Sequence, residues 1–129
     1  MEEQYIKKIP LENNLHVHIY DASRRLAGDR WLVKLITRIH FKVDEVWGED
    51  DASLPTKSAI KELLGSELVF EQNQTRHFID EKEKELIFQG MVDNYLEHSL
   101  PYLSRPEFAR RYILKAFKDK QKQKNRQSN

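Results

Sequence analysis

Between Arg30 and Val43 the chain reads RWLVKLITRIHFKV, and apolar and polar side chains alternate through almost all of it. Trp31, Val33, Leu35, Ile39, Phe41 and Val43 share one side, interrupted by Thr37, while Lys34, Arg38, His40 and Lys42 populate the other. A period of two suits a strand buried on one face; a helix would repeat its apolar side every ~3.6 residues. A strand this long needs partners along its whole length and a cover for its apolar face.

The preceding run, LHVHIY, alternates in the same way, with Leu15, Val17 and Ile19 opposite His16, His18 and Tyr20. Pairing Tyr20 with Arg30 in an antiparallel hairpin sets Ile19 against Trp31, Val17 against Val33 and Leu15 against Leu35. All three pairs are apolar, so the register is self-consistent. Gln4–Leu11 reads as an edge strand ended by Pro10, and it is assigned to the far half of the long strand. Thr56 is placed to cap a short helix, KSAIKELL, that Gly65 ends. SELVFEQNQTRHFI is a third extended segment, with a bulge or loop at Gln72–Gln74.

Two amphipathic helices follow. Asp80 and Glu83 have capping-box spacing, and Ile87, Phe88, Met91, Val92 and Tyr95 trace one stripe between Glu81 and Ser99. Ser104 is placed to cap the second helix, where Phe108, Ala109, Tyr112, Ile113, Ala116 and Phe117 form another stripe. The fold class is therefore α+β: an antiparallel sheet with one short helix between strands, covered by a C-terminal helical hairpin. Residues 1–118 are expected to form a single domain. The apolar positions stop at Lys118, and residues 119–129 read as a basic, frayed or disordered tail.

At 39% hydrophobic residues the chain belongs with globular proteins. The lack of cysteine removes disulfides, thiolate metal sites and cysteine nucleophiles. MEEQYIKKIP has no apolar core of a signal peptide, and no run approaches the ~18 apolar residues of a membrane span. The expectation is a cytoplasmic protein without membrane contact. Net charge is only +1, yet it is divided unevenly. From Arg105 onward nine Lys/Arg stand against Glu107 and Asp119, a net +7, leaving −6 for the first 104 residues.

DASRRLAGDR, Asp21 to Arg30, is read as a loop of about nine residues joining the hairpin strands. Asp21 and Ser23 suit an Asx-type turn, and Gly28 permits positive φ. Arg24, Arg25 and Arg30 can pair with Asp21 and Asp29, and this self-neutralised turn is the favoured reading. The competing reading makes Ser23, Arg24, Arg25 and Arg30 an anion site with outward guanidinium forks. The stretch departs from the D-x-S-x-x-G signature of PilZ domains: Leu26 holds the glycine position, and no R-x-x-x-R precedes Asp21.

The second candidate is a basic patch of Arg110, Arg111, Lys115 and Lys118, continued by Lys120, Lys122, Lys124 and Arg126. It could neutralise phosphates, or simply suit a helix C-terminus and keep a tail soluble. His16 and His18 project from one strand side, but Lys34 faces them in the register above, which argues against a metal; His40, His77 and His98 show no linking spacing. Neither a nucleophile elbow nor a phosphate loop is present, and the acids Glu49-Asp50-Asp51 and Glu81/Glu83/Glu85 read as solvated runs. Trp47, among acids, either folds onto the core or stands exposed as an anchor for a partner. These readings favour a non-catalytic binding or adaptor module without cofactor or metal, acting through a protein partner or as a homo-oligomer. The alternative is an anionic-ligand or nucleic-acid binder using the arginine loop and the basic terminal segment.

Overall fold

The alternating run forms β4 (Arg30–Lys42), the strand on which the others assemble. The computed structural model describes residues 3–48 and 54–127. These form a five-stranded sheet from β1 (Gln4–Pro10), β2 (His16–Asp21), β3 (Arg24–Ala27), β4 and β5 (Glu67–Asp80). Along the chain lie α1 (Val43–Val46), α2 (Lys57–Leu64), α3 (Lys84–Leu103) and α4 (Phe108–Gln127). The class is α+β, with an antiparallel sheet of N-terminal strands and helices at the C-terminus. None of the described helices is long and apolar enough to cross a membrane.

The hairpin register differs from the expected one. Tyr20 pairs with Ile36 and Asp21 with Leu35, and the ladder continues through β3 as Arg24 with Leu32 and Arg25 with Trp31. Ala22 N–H donates to Lys34 O (3.0 Å) between the two segments. Thus the expected nine-residue loop is mostly strand, and the reversal is a tight turn at Gly28-Asp29, with Ala27 opposite Arg30. Gly28 has φ +54, the sign that a first central turn position requires in a type II′ hairpin. The shift from the expected pairing is an even number of residues, so each side chain keeps its face.

The partner of β1 also differs. β1 pairs with β2, and a register shift between Tyr5 and Lys7 makes Ile6 a bulge residue. β5 takes the other side of β4. Glu81 N–H donates to Asp29 O and Val43 N–H to Ser66 O, both at 2.9 Å, so β5 runs antiparallel to β4.

By its internal contacts the chain divides into two compact units, Met1–Ile39 with Glu71–Arg105 and His40–Phe70 with Pro106–Asn129. β4 and β5 contribute residues to both. In the first unit Val17, Ile19, Val33, Leu35 and Ile39 are buried from the strands, as are Phe88, Met91, Val92 and Tyr95 from α3. Leu32 and Ile36, on the opposite face of β4, are buried too. Thr37, the polar interruption, is buried, and its hydroxyl donates to Gln72 O (3.4 Å). α3 starts and ends later than its stripe suggests. Asp80 carboxylate accepts from Lys82 N–H in a turn before the helix, and Pro101 lies inside its last turn. Ser104 closes α3 rather than opening α4.

In the second unit Thr56 caps α2 as expected, its hydroxyl accepting from Ala59 N–H (3.1 Å). Gly65, with φ +88, ends that helix. Ile60, Phe108, Ile113 and Phe117 are buried, and Phe70 meets both Phe108 and Tyr112 edge-on. The one-turn α1 occupies the start of what reads as an acidic loop; Glu49-Asp50-Asp51 lies outside the described residues. α4 is helical through Gln127, and every residue from Lys118 to Arg126 is exposed.

Candidate functional site

The first unit carries a cleft of about 700 Å³ where the break between β2 and β3 faces the first turns of α3. The sequence builds this break locally. Asp21 Oδ1 accepts from Ser23 N–H (2.9 Å), and Ser23 Oγ accepts from Lys34 N–H (3.0 Å). Both polar side chains thus substitute for missing ladder bonds, as an Asx-type turn does. Asp21, Ser23 and Arg24 line one wall, together with Gln4 and the bulged Ile6 of β1. Trp31 forms part of the lining, and Lys84, Glu85, Phe88 and Gln89 come from α3.

Of the four residues singled out in the loop, two meet here. Ser23 and Arg24 line the cleft; Arg25 and Arg30 do not. Arg25 pairs with Glu81 (3.4 Å), and its guanidinium lies 5.9 Å from the Trp31 ring centre. Arg30 approaches Asp29 (3.8 Å) and Asp80 (3.5 Å). The expected partners Asp21 and Asp29 therefore account for only part of the neutralisation, because the strand register brings in Asp80 and Glu81. Among the described residues, no carboxylate lies within ion-pair distance of Arg24.

Sequence reasoning missed the other half of the site. Trp31 reads as core from its place in the alternating run, yet it is only half-buried. Lys84 Nζ lies 3.6 Å from the centre of its ring, a cation–π contact. Lys84 too has no carboxylate partner among the described residues. Trp31 Nε1 is a buried donor without an acceptor there, an arrangement that costs about 1–3 kcal/mol. The cleft thus combines apolar surface from Ile6, Trp31 and Phe88 with two cations whose charge is not spent on carboxylates. Asp21 is engaged with Ser23, and Glu85 stands on the helical wall.

The same unit carries a tight ion-pair cluster. Arg38 grips Glu3 through both terminal nitrogens (2.6 and 2.8 Å) and Glu71 through Nε (2.6 Å), with its guanidinium 4.7 Å from the Tyr20 ring centre. Hydrogen bonds from Arg38 hold both carboxyls below the ordinary carboxylate range and raise the arginine further. His18 stacks obliquely on Tyr5 at 5.9 Å. No cluster of three or more metal-ligating side chains occurs among the described residues.

The basic patch belongs to the second unit, and its members separate. Arg110 leans over Trp47, 5.2 Å from the ring centre, and Trp47 itself is buried against the core rather than exposed. Arg111 is at 4.0 Å from Glu107. Lys115 and Lys118 are exposed. Fold and cleft define an α+β protein with an antiparallel sheet and a mixed apolar and cationic hollow. No protein-family model, curated protein or solved structure matches the chain.

Proposed function

We propose that the protein is a small non-catalytic binding module whose docking point is the Trp31 cleft, and that the cleft takes one anionic group carried on a flat apolar body. What carries this reading is that Arg24 and Lys84 line the same hollow as Trp31, with no carboxylate among the described residues paired to either. A guanidinium fork and an ammonium point charge complement a carboxylate, while Ile6, Trp31 and Phe88 suit an aromatic or aliphatic body. Asp21 and Glu85 on the same walls favour a single negative charge over a polyanion.

The group can belong to a small molecule or to the C-terminus of a protein partner. β1 ends the sheet and brings Gln4 and Ile6 to the cleft, so a partner chain arriving there meets an open strand edge. We place the module in the cytoplasm, a compartment that a cysteine-free chain suits.

The test follows the Trp31 indole resonance of the intact chain by proton–nitrogen NMR. Phenylacetate represents a small molecule and N-acetylphenylalanine a chain terminus; neutral phenylacetamide and ring-less acetate are the controls. Saturable shifts are expected with the two aromatic anions only, with affinity at least tenfold weaker in Lys84→Glu. Tighter binding of N-acetylphenylalanine points to a protein partner, and the reverse to a small molecule. No saturable shift with either anion, or equal binding of phenylacetamide, overturns the reading.

A further inference from the structure

α4 carries a second surface whose charge the cleft does not use. Arg111, Lys115, Lys118, Lys122 and Arg126 recur at helical spacing, so at about 100° per residue they fall within roughly 80° of arc. All five are exposed, and the buried Ile113 and Phe117 point away from them. At ~1.5 Å per residue the stripe is about 22 Å long. Arg110, which sequence alone groups with the patch, lies off this line against Trp47; Lys122 and Arg126 join it instead.

Little on the molecule balances this charge. Arg111 has Glu107 at the limit of ion pairing, whereas Lys115, Lys118, Lys122 and Arg126 have no carboxylate partner among the described residues. Asp119 is the one acid beyond Glu107 on the helix, at the edge of the stripe. Like charges at i,i+4 oppose helix formation, and the stripe contains three such pairs: Arg111/Lys115, Lys118/Lys122 and Lys122/Arg126. The helix dipole favours cations in the last turn only, so it does not account for those further back.

We infer that this face of α4 binds the phosphate backbone of double-stranded nucleic acid. A duplex presents a negative charge every ~1.7 Å along its axis, so a straight 22 Å row of cations can meet several phosphates at once. The segment from Lys118 to Arg126 contains no apolar side chain, which disfavours a membrane surface, where a helix must bury an apolar face. Contacts of this kind read no base sequence. The inference is independent of the cleft, which lies in the other unit and suits a single charge.

Fluorescence anisotropy of the full chain with labelled 20-base-pair DNA and RNA duplexes tests it. Four to five phosphate contacts predict a loss of affinity on the order of 10²-fold between 50 and 200 mM salt. The double variant Lys118→Glu/Lys122→Glu should weaken binding at least tenfold while circular dichroism and thermal melting stay unchanged. Should it misfold, Lys118→Gln/Lys122→Gln provides the same test with a smaller loss. Lys7→Glu/Lys8→Glu, exposed on β1, should leave binding intact. Preference between the DNA and RNA arms identifies which duplex is the target. No binding to either at 50 mM salt, binding indifferent to salt or to both α4 variants, or tighter binding to phosphatidylserine vesicles overturns the proposal.

Discussion

Phe78 is the residue at which the backbone is least at ease. It lies near the end of β5 with φ +56 and is 72% exposed as a residue, so it bears left-handed strain with little burial in return. For a bulky L-residue that conformation costs about 1–2 kcal/mol, whereas asparagine tolerates it. Phe78→Asn should therefore leave stability equal or raise it by up to about 1 kcal/mol in urea denaturation, although an aromatic side chain is lost. A clear destabilisation would mean that the ring makes a contribution its exposure does not show. Trp31 is the contrasting case. Its alternation with Val33 and Leu35 makes it look like core, and only the approach of Lys84, far along the chain, turns one side of it into a cleft wall.

Among the elements, β4 and β5 are joined through Arg38 to each other and to Glu3, just ahead of β1, and the joint has a pH signature. Glu3 and Glu71 are held below their ordinary value of 4.5 chiefly by the Arg38 hydrogen bonds. A carboxyl with a depressed folded-state pKa stabilises fully above its unfolded value and loses that contribution as pH falls through the folded one. The wild-type melting temperature should therefore fall between about pH 5 and pH 2 more steeply than that of Glu3→Gln/Glu71→Gln, with the two curves converging in acid. Parallel curves would show that these ion pairs do not stabilise the fold. How much of this level was legible depends on the element. β1, β2, β4, the Thr56 cap and the Gly65 stop follow from local chemistry, whereas β3 reads as loop. The hairpin register does not follow from it, because matching apolar to apolar favours the expected alignment, whereas the observed one sets Ile19 against Thr37 and Asp21 against Leu35 and is fixed by the Gly28-Asp29 turn. The cleft was half legible: Ser23 and Arg24 stand in a conspicuous motif, while Ile6 owes its place to a bulge that no residue pattern announces. The α4 stripe was visible as charge, but its line required knowing that the helix continues to Gln127.

At the scale of the whole molecule, stability and charge are kept in different residues. The second unit buries Phe108, Ile113 and Phe117 on the inner side of α4, and edge-on contacts of Phe70 and Phe41 with its aromatic rings add to that packing. From Lys118 to Arg126 every residue is exposed, so what these residues add to stability is limited to surface ion pairs and helix propensity. Ending the chain after Lys118 removes Lys120, Lys122, Lys124 and Arg126 with Asp119, and the net charge passes from +1 to −2. That truncation should cost less than about 1 kcal/mol. Ile113→Ala, which removes three side-chain carbons at a fully buried position and changes no charge, should cost about 2–5 kcal/mol. The two variants should also separate in duplex binding: the truncation loses it, while Ile113→Ala keeps it at temperatures where it remains folded. A truncation that melts like Ile113→Ala would place the terminal turns in the core's service, and the case for a surface set apart for a polyanion would fall with it.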